Sequence, residues 1–260
     1  MSVLVEYPLL LFAVSLLLQW AAAFGGRFLR RTRMAAAADP QREEIVTVLN
    51  ASLTLLALLI GFSFAMAVSR YDQRKNCEEA EANAIGTEYL RADLLPAANA
   101  VRAHSLLVAY GEQRIAHYEE SDSARLKQID AETARVQSQL WAAVAGAAAT
   151  TPSATMMLVA SGMNDVINTQ GYTQAAWWNR IPVAAWALIL MVAIACNALL
   201  GRVESRVSVS TLLVLPLILS ISLFLIADID SPRAGGIRVT PQNLIAAVRA
   251  LPPRPPSGPG

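Results

Sequence analysis

The stretch from Leu58 to Arg91, LLIGFSFAMAVSRYDQRKNCEEAEANAIGTEYLR, begins as lipid-soluble sequence and ends as water-soluble sequence, with no proline and no glycine between Gly61 and Gly86. Nothing in it stops a helix, so one helix is expected to leave a membrane and continue into water. Arg70, Arg74, Glu78 and Glu81 or Ala82 carry a three-to-four-residue repeat across the boundary. An exposed Arg74 and Glu78 pair would stabilise such a helix by only a few tenths of a kcal/mol, too little to account for the charge density. Two readings stay open: a solvated stalk joining a membrane helix to a soluble bundle, or a water-filled vestibule whose charges steer ions at a membrane mouth.

The composition agrees with a membrane chain, since hydrophobic residues make up 55% and charged residues 16%, with a mean hydropathy of +0.40. Four apolar runs suit a hydrocarbon layer roughly 30 Å thick: Leu9 to Phe24, Ile45 to Val68, Ile181 to Leu200 and Thr211 to Ala227. The first follows MSVLVEY, which has no Lys or Arg, and precedes the basic RFLRRTR, an order that suits a retained helix rather than a signal peptide. Pro8 fits its first turn, where a missing N–H costs nothing. The second run carries Thr47, Asn50, Ser52, Thr54 and Ser63, polar groups expected to face neighbouring helices or water inside a bundle.

The fold class is therefore all-α, with four transmembrane helices and a helical soluble domain inserted between the second and third. Residues 1–69 are assigned to the first two membrane helices, 70–180 to the soluble domain, 181–230 to the last two helices and 231–260 to a C-terminal tail. Val101, Leu106, Leu107, Tyr110, Arg114 and Tyr118 mark one amphipathic helix of the inserted domain, and Leu126, Ile129, Val136 and Leu140 another. Pro96 and the stretch around Pro152 mark breaks, with a further helix starting near Ser153. Trp177 and Trp178, just before Arg180 and Pro182, are expected at the headgroup level. DIDSPRAGG after the fourth run reads as a turn built on aspartates, Thr240 and Pro241 open a short helix, and PPRPPSGPG reads as an extended, disordered end.

Several function classes fall away. The net charge of +1, from 21 Lys and Arg against 20 Asp and Glu, without a basic block interleaved with aromatics, argues against nucleic acid. Cys77 and Cys196 stand in unlike surroundings and form no disulfide framework. His104 and His117 are roughly 220° apart on a helix, so they read as exposed helix positions rather than metal ligands. Glu78, Glu79, Glu81 and Glu88 read as a solvated face, and without GxSxG, HExxH, P-loop or CxxC no catalytic residue, metal or cofactor is assigned.

Gly61, Phe62 and Phe64 lie just membrane-side of the charged portion, where aromatic rings can narrow a pore and gate it by dewetting, or simply pack against lipid or a neighbour. The block GFSFAMAVSRYDQRKNCEEAEANAIGTEYLRADLLP resembles the signature of a bacterial family of bestrophin-like membrane proteins. Asn164 with Asp165, Arg180-Ile181-Pro182 and DIDSPRAGGIRV extend the resemblance from Ile45 to about Val239. Bestrophins proper are oligomeric ion channels, usually pentamers, whose second membrane helix lines a narrow hydrophobic neck and continues into a helical soluble domain. The resemblance implies a homo-oligomer passing small ions, with Gly61, Phe62 and Phe64 at the neck. It implies a mouth formed by Ser69, Arg70, Tyr71, Asp72, Arg74, Glu78, Glu81 and Asn83. This sequence departs from true bestrophins in having AMAV before Ser69 and QRKN after Asp72.

Orientation is nearly balanced by charge. Arg27, Arg30, Arg31, Arg33, Arg42, Arg202 and Arg206 flank one side of the membrane, and Arg70, Arg74, Lys75, Arg180, Arg233 and Arg238 the other. The tight first cluster favours a cytoplasmic first link, whereas the resemblance implies a cytoplasmic helical domain in a bacterial inner membrane, and the second is adopted. The competing function is a non-conducting scaffold or sensor that binds a partner through the amphipathic region from Ala100 to Leu140.

Overall fold

The computed structural model describes residues 7–33, 40–203 and 209–251, and all their regular structure is helical. The helices are α1 (Pro8–Arg33), α2 (Pro40–Arg91), α3 (Ala97–Glu119), α4 (Ser123–Thr150), α5 (Ala154–Trp178), α6 (Val183–Val203), α7 (Val209–Asp230) and α8 (Gln242–Ala250), with a 3-10 turn at Ala92–Leu94. Among the described residues, four helical stretches are long and apolar enough to cross a membrane: Pro8–Leu29, Glu43–Leu94, Ala154–Val203 and Leu212–Asp230. In the second and third of these the apolar sequence lies at residues 45–68 of α2 and in α6. The PPRPPSGPG end and residues 204–208 of the link before α7 lie outside the described residues.

The boundaries follow local chemistry. Pro96 separates α2 and its 3-10 turn from α3. Asp122 caps α4 by accepting from the backbone N–H groups of Ala124 (3.0 Å) and Arg125 (2.8 Å). Ser153, next to Pro152, caps α5 by accepting from Met156 N–H at 3.2 Å.

The chain forms two compact units, Met1–Tyr71 with Arg180–Arg238, and Asp72–Asn179 with Val239–Gly260. In the first, Leu49, Leu56 and Ala67 of α2 join Ile189, Ala193 and Leu223 in an apolar core. A Cβ on Gly26 would collide with the carbonyl of Ala198, and one on Gly201 with the carbonyl of Ala23, so α1 and α6 approach backbone to backbone. Beside this contact lies a buried amide network: Gln19 Nε2 donates to Ser220 Oγ at 3.0 Å, and Asn197 Nδ2 donates to Gln19 Oε1 at 3.0 Å. Asp230 accepts from Ile181 N–H through both carboxylate oxygens (3.1 and 3.3 Å), tying the end of α7 to the chain entering α6. Asp228 accepts from Gly236 N–H (2.7 Å) and Ile237 N–H (2.9 Å), and a Cβ on Gly235 would strike the Asp228 carbonyl. The expected aspartate turn is thus a double clasp around a required glycine.

In the second unit α3, α4 and α5 pack with the later part of α2 around Ile85, Leu107, Leu140, Val144, Val159 and Met163. Three expectations are corrected here. His104 and His117 are buried: the His104 ring lies 3.3 Å from Asp93 and the His117 ring 2.9 Å from Asp130, and those carboxylates make burial tolerable. Trp177 is buried against Tyr118 and His117 at ring separations of 5.3 and 5.4 Å, while Trp178 is exposed. Glu78, Glu81 and Glu88 are buried, and only Glu79 of the acidic group faces outward.

Because α1 and α6 meet through glycine, Gly201→Leu is expected to abolish the monodisperse peak of detergent-solubilised protein in size-exclusion chromatography. Gly25→Ala, where an added Cβ meets nothing within 4 Å, is expected to leave that peak unchanged.

Candidate functional site

Seven residues return an α-helix to within about 20° of its starting direction, so α2 can be read as parallel rows. Leu49, Leu56 and Ser63 form one buried row, and Ala67, Arg74, Glu81 and Glu88 continue burial on nearly the same side. Opposite them, Leu58, Ala65 and Asp72 form one exposed row, and Leu55, Phe62, Ser69, Asn76 and Asn83 form another beside it. This bare stripe is apolar through Ala65 and polar from Ser69 onward. Thr47 and Thr54 lie on the same side, with hydroxyls donating to the carbonyls of Glu43 and Asn50 at 2.9 Å. They therefore need no interhelical partner, and among the polar residues expected in a bundle interior Ser63 alone is buried within the chain.

The neck candidates part company on this helix. Phe62 and Phe64 are two residues, or roughly 160°, apart, so both cannot face one axis. Phe62 lies on the bare stripe with 62% of its surface exposed. Phe64 lines a groove between α2 and α7, and Gly61 stands at its edge.

The mouth candidates divide as sharply. Ser69, Asp72 and Asn83 are exposed on the stripe, and Arg70 and Tyr71 are half-buried. Arg74 and Glu78 at 1% exposure and Glu81 at 0% face the interior of their own chain, which corrects their expected place at a water-filled mouth. For Glu78 and Glu81 the reason is pairing within the second unit. Arg114 of α3 donates to Glu81 through Nε (3.3 Å) and Nη2 (3.2 Å). Burial pulls the Arg114 guanidinium down, yet the Glu81 carboxylate outweighs it and holds Arg114 above its ordinary range. Burial and the nearby Glu81 charge push Tyr110 up as well. Glu78 caps α8, accepting from Leu244 N–H at 2.8 Å and from Asn243 Nδ2 at 2.7 Å. Val248 of that helix seats against Gly111, where a Cβ would displace it.

Glu88 was read in sequence as one of a solvated group, and it is the most unusual of them. It is fully buried, and among the described residues neither carboxylate oxygen has a hydrogen-bond partner. Arg91 Nη1 stands 3.9 Å away, and a Cβ on Gly162 of α5 would collide with Glu88 Oε2. At 1.5 Å per residue Glu88 lies about 30 Å beyond Val68, outside the apolar segment. Burial pushes its pKa up to about 8, with Arg91 opposing the shift and Asp165 adding to it. Among the described residues no three His, Cys, Asp or Glu side chains could hold a metal ion together.

Sequence reasoning missed the Gln19, Asn197 and Ser220 network, although an amide inside each of two apolar runs was a visible signal. It also missed the partner of Glu81, because Arg114 sits 33 residues away on a different helix.

The bestrophin-like domain model matches residues 16–244. The chain belongs to the bestrophin-like family. Solved structures agree in fold. A bacterial bestrophin homologue from Klebsiella pneumoniae carrying a point mutation is 15% identical with a TM-score of 0.66, covering 92% of this chain and 96% of that one. The same homologue phased on zinc gives 15% identity and a TM-score of 0.64, covering 94% and 95%. A crystal structure described as a membrane protein gives 15% identity and a TM-score of 0.68, covering 92% and 96%. No curated protein sequence matches the chain. With its four apolar helices, this bestrophin-like chain is an integral membrane protein in contact with lipid.

The Glu88 site has a pH signature with a defined sign. Its folded-state pKa lies above the ordinary value of 4.5, so the folded chain holds a proton that the unfolded chain has lost. Stability is full below about pH 4.5, falls as pH rises toward about 8, and then levels. Chemical denaturation of the purified protein between pH 5 and pH 8, on the order of the window set by that shift, should therefore show wild type losing stability more steeply than Glu88→Gln. Parallel curves would contradict the assignment.

Proposed function

We propose that this chain is one subunit of a bestrophin-like homo-oligomer that passes small ions passively, with α2 of each copy lining a shared axis. The observation that carries the reading is the bare stripe. Only 11% of the apolar window of α2 is buried within its own chain, against 50% for α7. A helix so poorly covered, with one face committed to its own chain and the opposite face turning from apolar to polar, suits a ring of identical helices around water.

In this reading Phe62 forms the neck, with Leu58 and Ala65 above and below it on the same stripe and Gly61 at its margin. Ser69, Asp72 and Asn83 line the mouth, with Arg70 and Tyr71 at its flanks. Phe64 belongs to the groove side, and Arg74, Glu78 and Glu81 hold the helical domain together rather than meeting ions. That domain, residues 70–180, is placed in water on the cytoplasmic side of a bacterial inner membrane, joined by α8 through Glu78. Five copies are the expected assembly. The role calls for no catalytic residue.

Purified protein in liposomes is expected to give a passive ion flux that rises severalfold in Phe62→Ala, with a smaller change in Phe64→Ala. Absence of flux across salt, pH and voltage would sink the channel reading and favour a scaffold that binds a partner. A larger effect at Phe64 than at Phe62 would place the axis on the wrong face of α2.

A further inference from the structure

Most buried carboxylates of this chain are supplied with donors. Glu81 accepts from Arg114, Glu78 from Leu244 N–H and Asn243, Asp228 from Gly236 and Ile237, and Asp230 from Ile181. Among the described residues Glu88 alone is a buried carboxylate that receives no hydrogen bond at either oxygen. The fold nevertheless makes room for it. Gly162 of α5 stands where Glu88 Oε2 and the Arg91 side chain pass, and a Cβ there would collide with Glu88 Oε2 and Arg91 Nη1 and press on Arg91 Cδ at 3.0 Å. Glycine weakens a helix interior relative to alanine, so α5 gives up helix propensity at the place where it admits this pair.

Two charges act on Glu88. Arg91 Nη1, one turn further along α2, is 3.9 Å away, too far for a hydrogen bond, and 29% of that side chain is exposed. Asp165, one turn along α5 from Gly162, is exposed and has the sign of an ionised Glu88. The other titratable groups turned inward in this unit are engaged elsewhere: Asp93 of the 3-10 turn lies 3.3 Å from His104 of α3, Arg114 holds Glu81, and His117 meets Asp130. The buried residues of α4 are neutral. In the closed contact an ionised Glu88 would lack hydrogen bonds and face Asp165, whereas a neutral carboxyl carries a far smaller desolvation cost and no repulsion.

We propose that protonation of Glu88 latches the end of α2 against α5 at Gly162, and that its ionisation opens this contact locally while the rest of the helical domain stays folded. Opening brings water to the carboxylate and lets Arg91 reach it, which restores the hydrogen bonds that the closed contact withholds. The closed carboxyl titrates near about 8 and a solvated one near the ordinary 4.5, so the closing constant falls by up to roughly tenfold per pH unit between those limits. The latch does not require conduction, so it stands or falls separately from the channel reading. It also goes beyond an effect on overall stability, because it confines the opening to one contact.

The test is hydrogen–deuterium exchange of the full-length protein in lipid nanodiscs from about pH 6 to about pH 9, with each rate divided by the intrinsic rate at that pH so that it reads local opening. In wild type, protection at the end of α2 around Glu88 and in α5 around Gly162 is expected to fall by up to roughly tenfold per pH unit and to level near about pH 8. In Glu88→Gln it should stay flat, and in both proteins peptides of α4 and α8 should keep their protection. Arg91→Gln should move the levelling point up and Asp165→Asn should move it down, since Arg91 opposes the shift and Asp165 adds to it. Asp165 is exposed, so that variant tests the latch even where Glu88→Gln fails to fold. Equal slopes in wild type and Glu88→Gln would overturn the proposal. So would a loss of protection shared equally by α4 and α8, which would make Glu88 a determinant of global stability alone, or levelling points that do not separate in the stated order.

Discussion

Everything in this chain depends on α2 being continuous. A single 52-residue helix carries an apolar sequence into a charged one, and in each unit it buries one face and leaves another bare. Leu49, Leu56 and Ala67 are buried in the first unit, and Arg74, Glu81 and Glu88 are buried in the second. Charged residues there follow from helical geometry, and the domain accommodates them by supplying Arg114 to Glu81 and the start of α8 to Glu78. The opposite stripe is bare from Thr47 to Asn83.

Each unit buries a few hydrogen-bonded polar groups, whose geometry makes those contacts specific rather than merely stabilising. In the first unit Gln19, Asn197 and Ser220 join three helices by hydrogen bonds that a shift of one turn would break, while Gly26 and Gly201 set the distance. In the second, the bidentate Arg114 and Glu81 pair fixes α3 against α2. Losing one partner of such a pair costs about 3–5 kcal/mol because the other charge is left buried. Glu88 differs from both, since its carboxyl is buried without hydrogen bonds among the described residues, and its proton replaces the missing partner.

Helix existence and many boundaries were legible because they rest on local chemistry: the four apolar runs, Pro96, Pro152, the Ser153 cap and the aspartates of DIDSPRAGG all act over a few residues. Facing was less legible. Assigning Phe62 and Phe64 to one neck overlooked a spacing of two that helical geometry already forbids on a shared face. Reading Arg74, Glu78 and Glu81 as a solvated mouth missed their burial for a different reason, since the partners of Glu81 and Glu78 lie on α3 and α8 and cannot be inferred from spacing on α2. His104 and His117 were read as exposed because burial of an imidazole depends on a carboxylate brought from elsewhere, here Asp93 and Asp130.

The facing of α2 can be measured directly by cysteine accessibility in sealed, reconstituted vesicles, using a Cys77→Ser background and a small, water-soluble methanethiosulfonate reagent. Single cysteines at Leu58, Phe62, Ala65, Ser69, Asp72 and Asn83 should react, while those at Leu56, Ser63, Ala67 and Glu81 should not. Such a pattern, continuing through the membrane segment at seven-residue spacing, is the result expected of a stripe that lines water. Reaction from Ser69 onward with silence at Leu58, Phe62 and Ala65 would mean that the stripe faces lipid, and that α2 is a stalk rather than the wall of a pore.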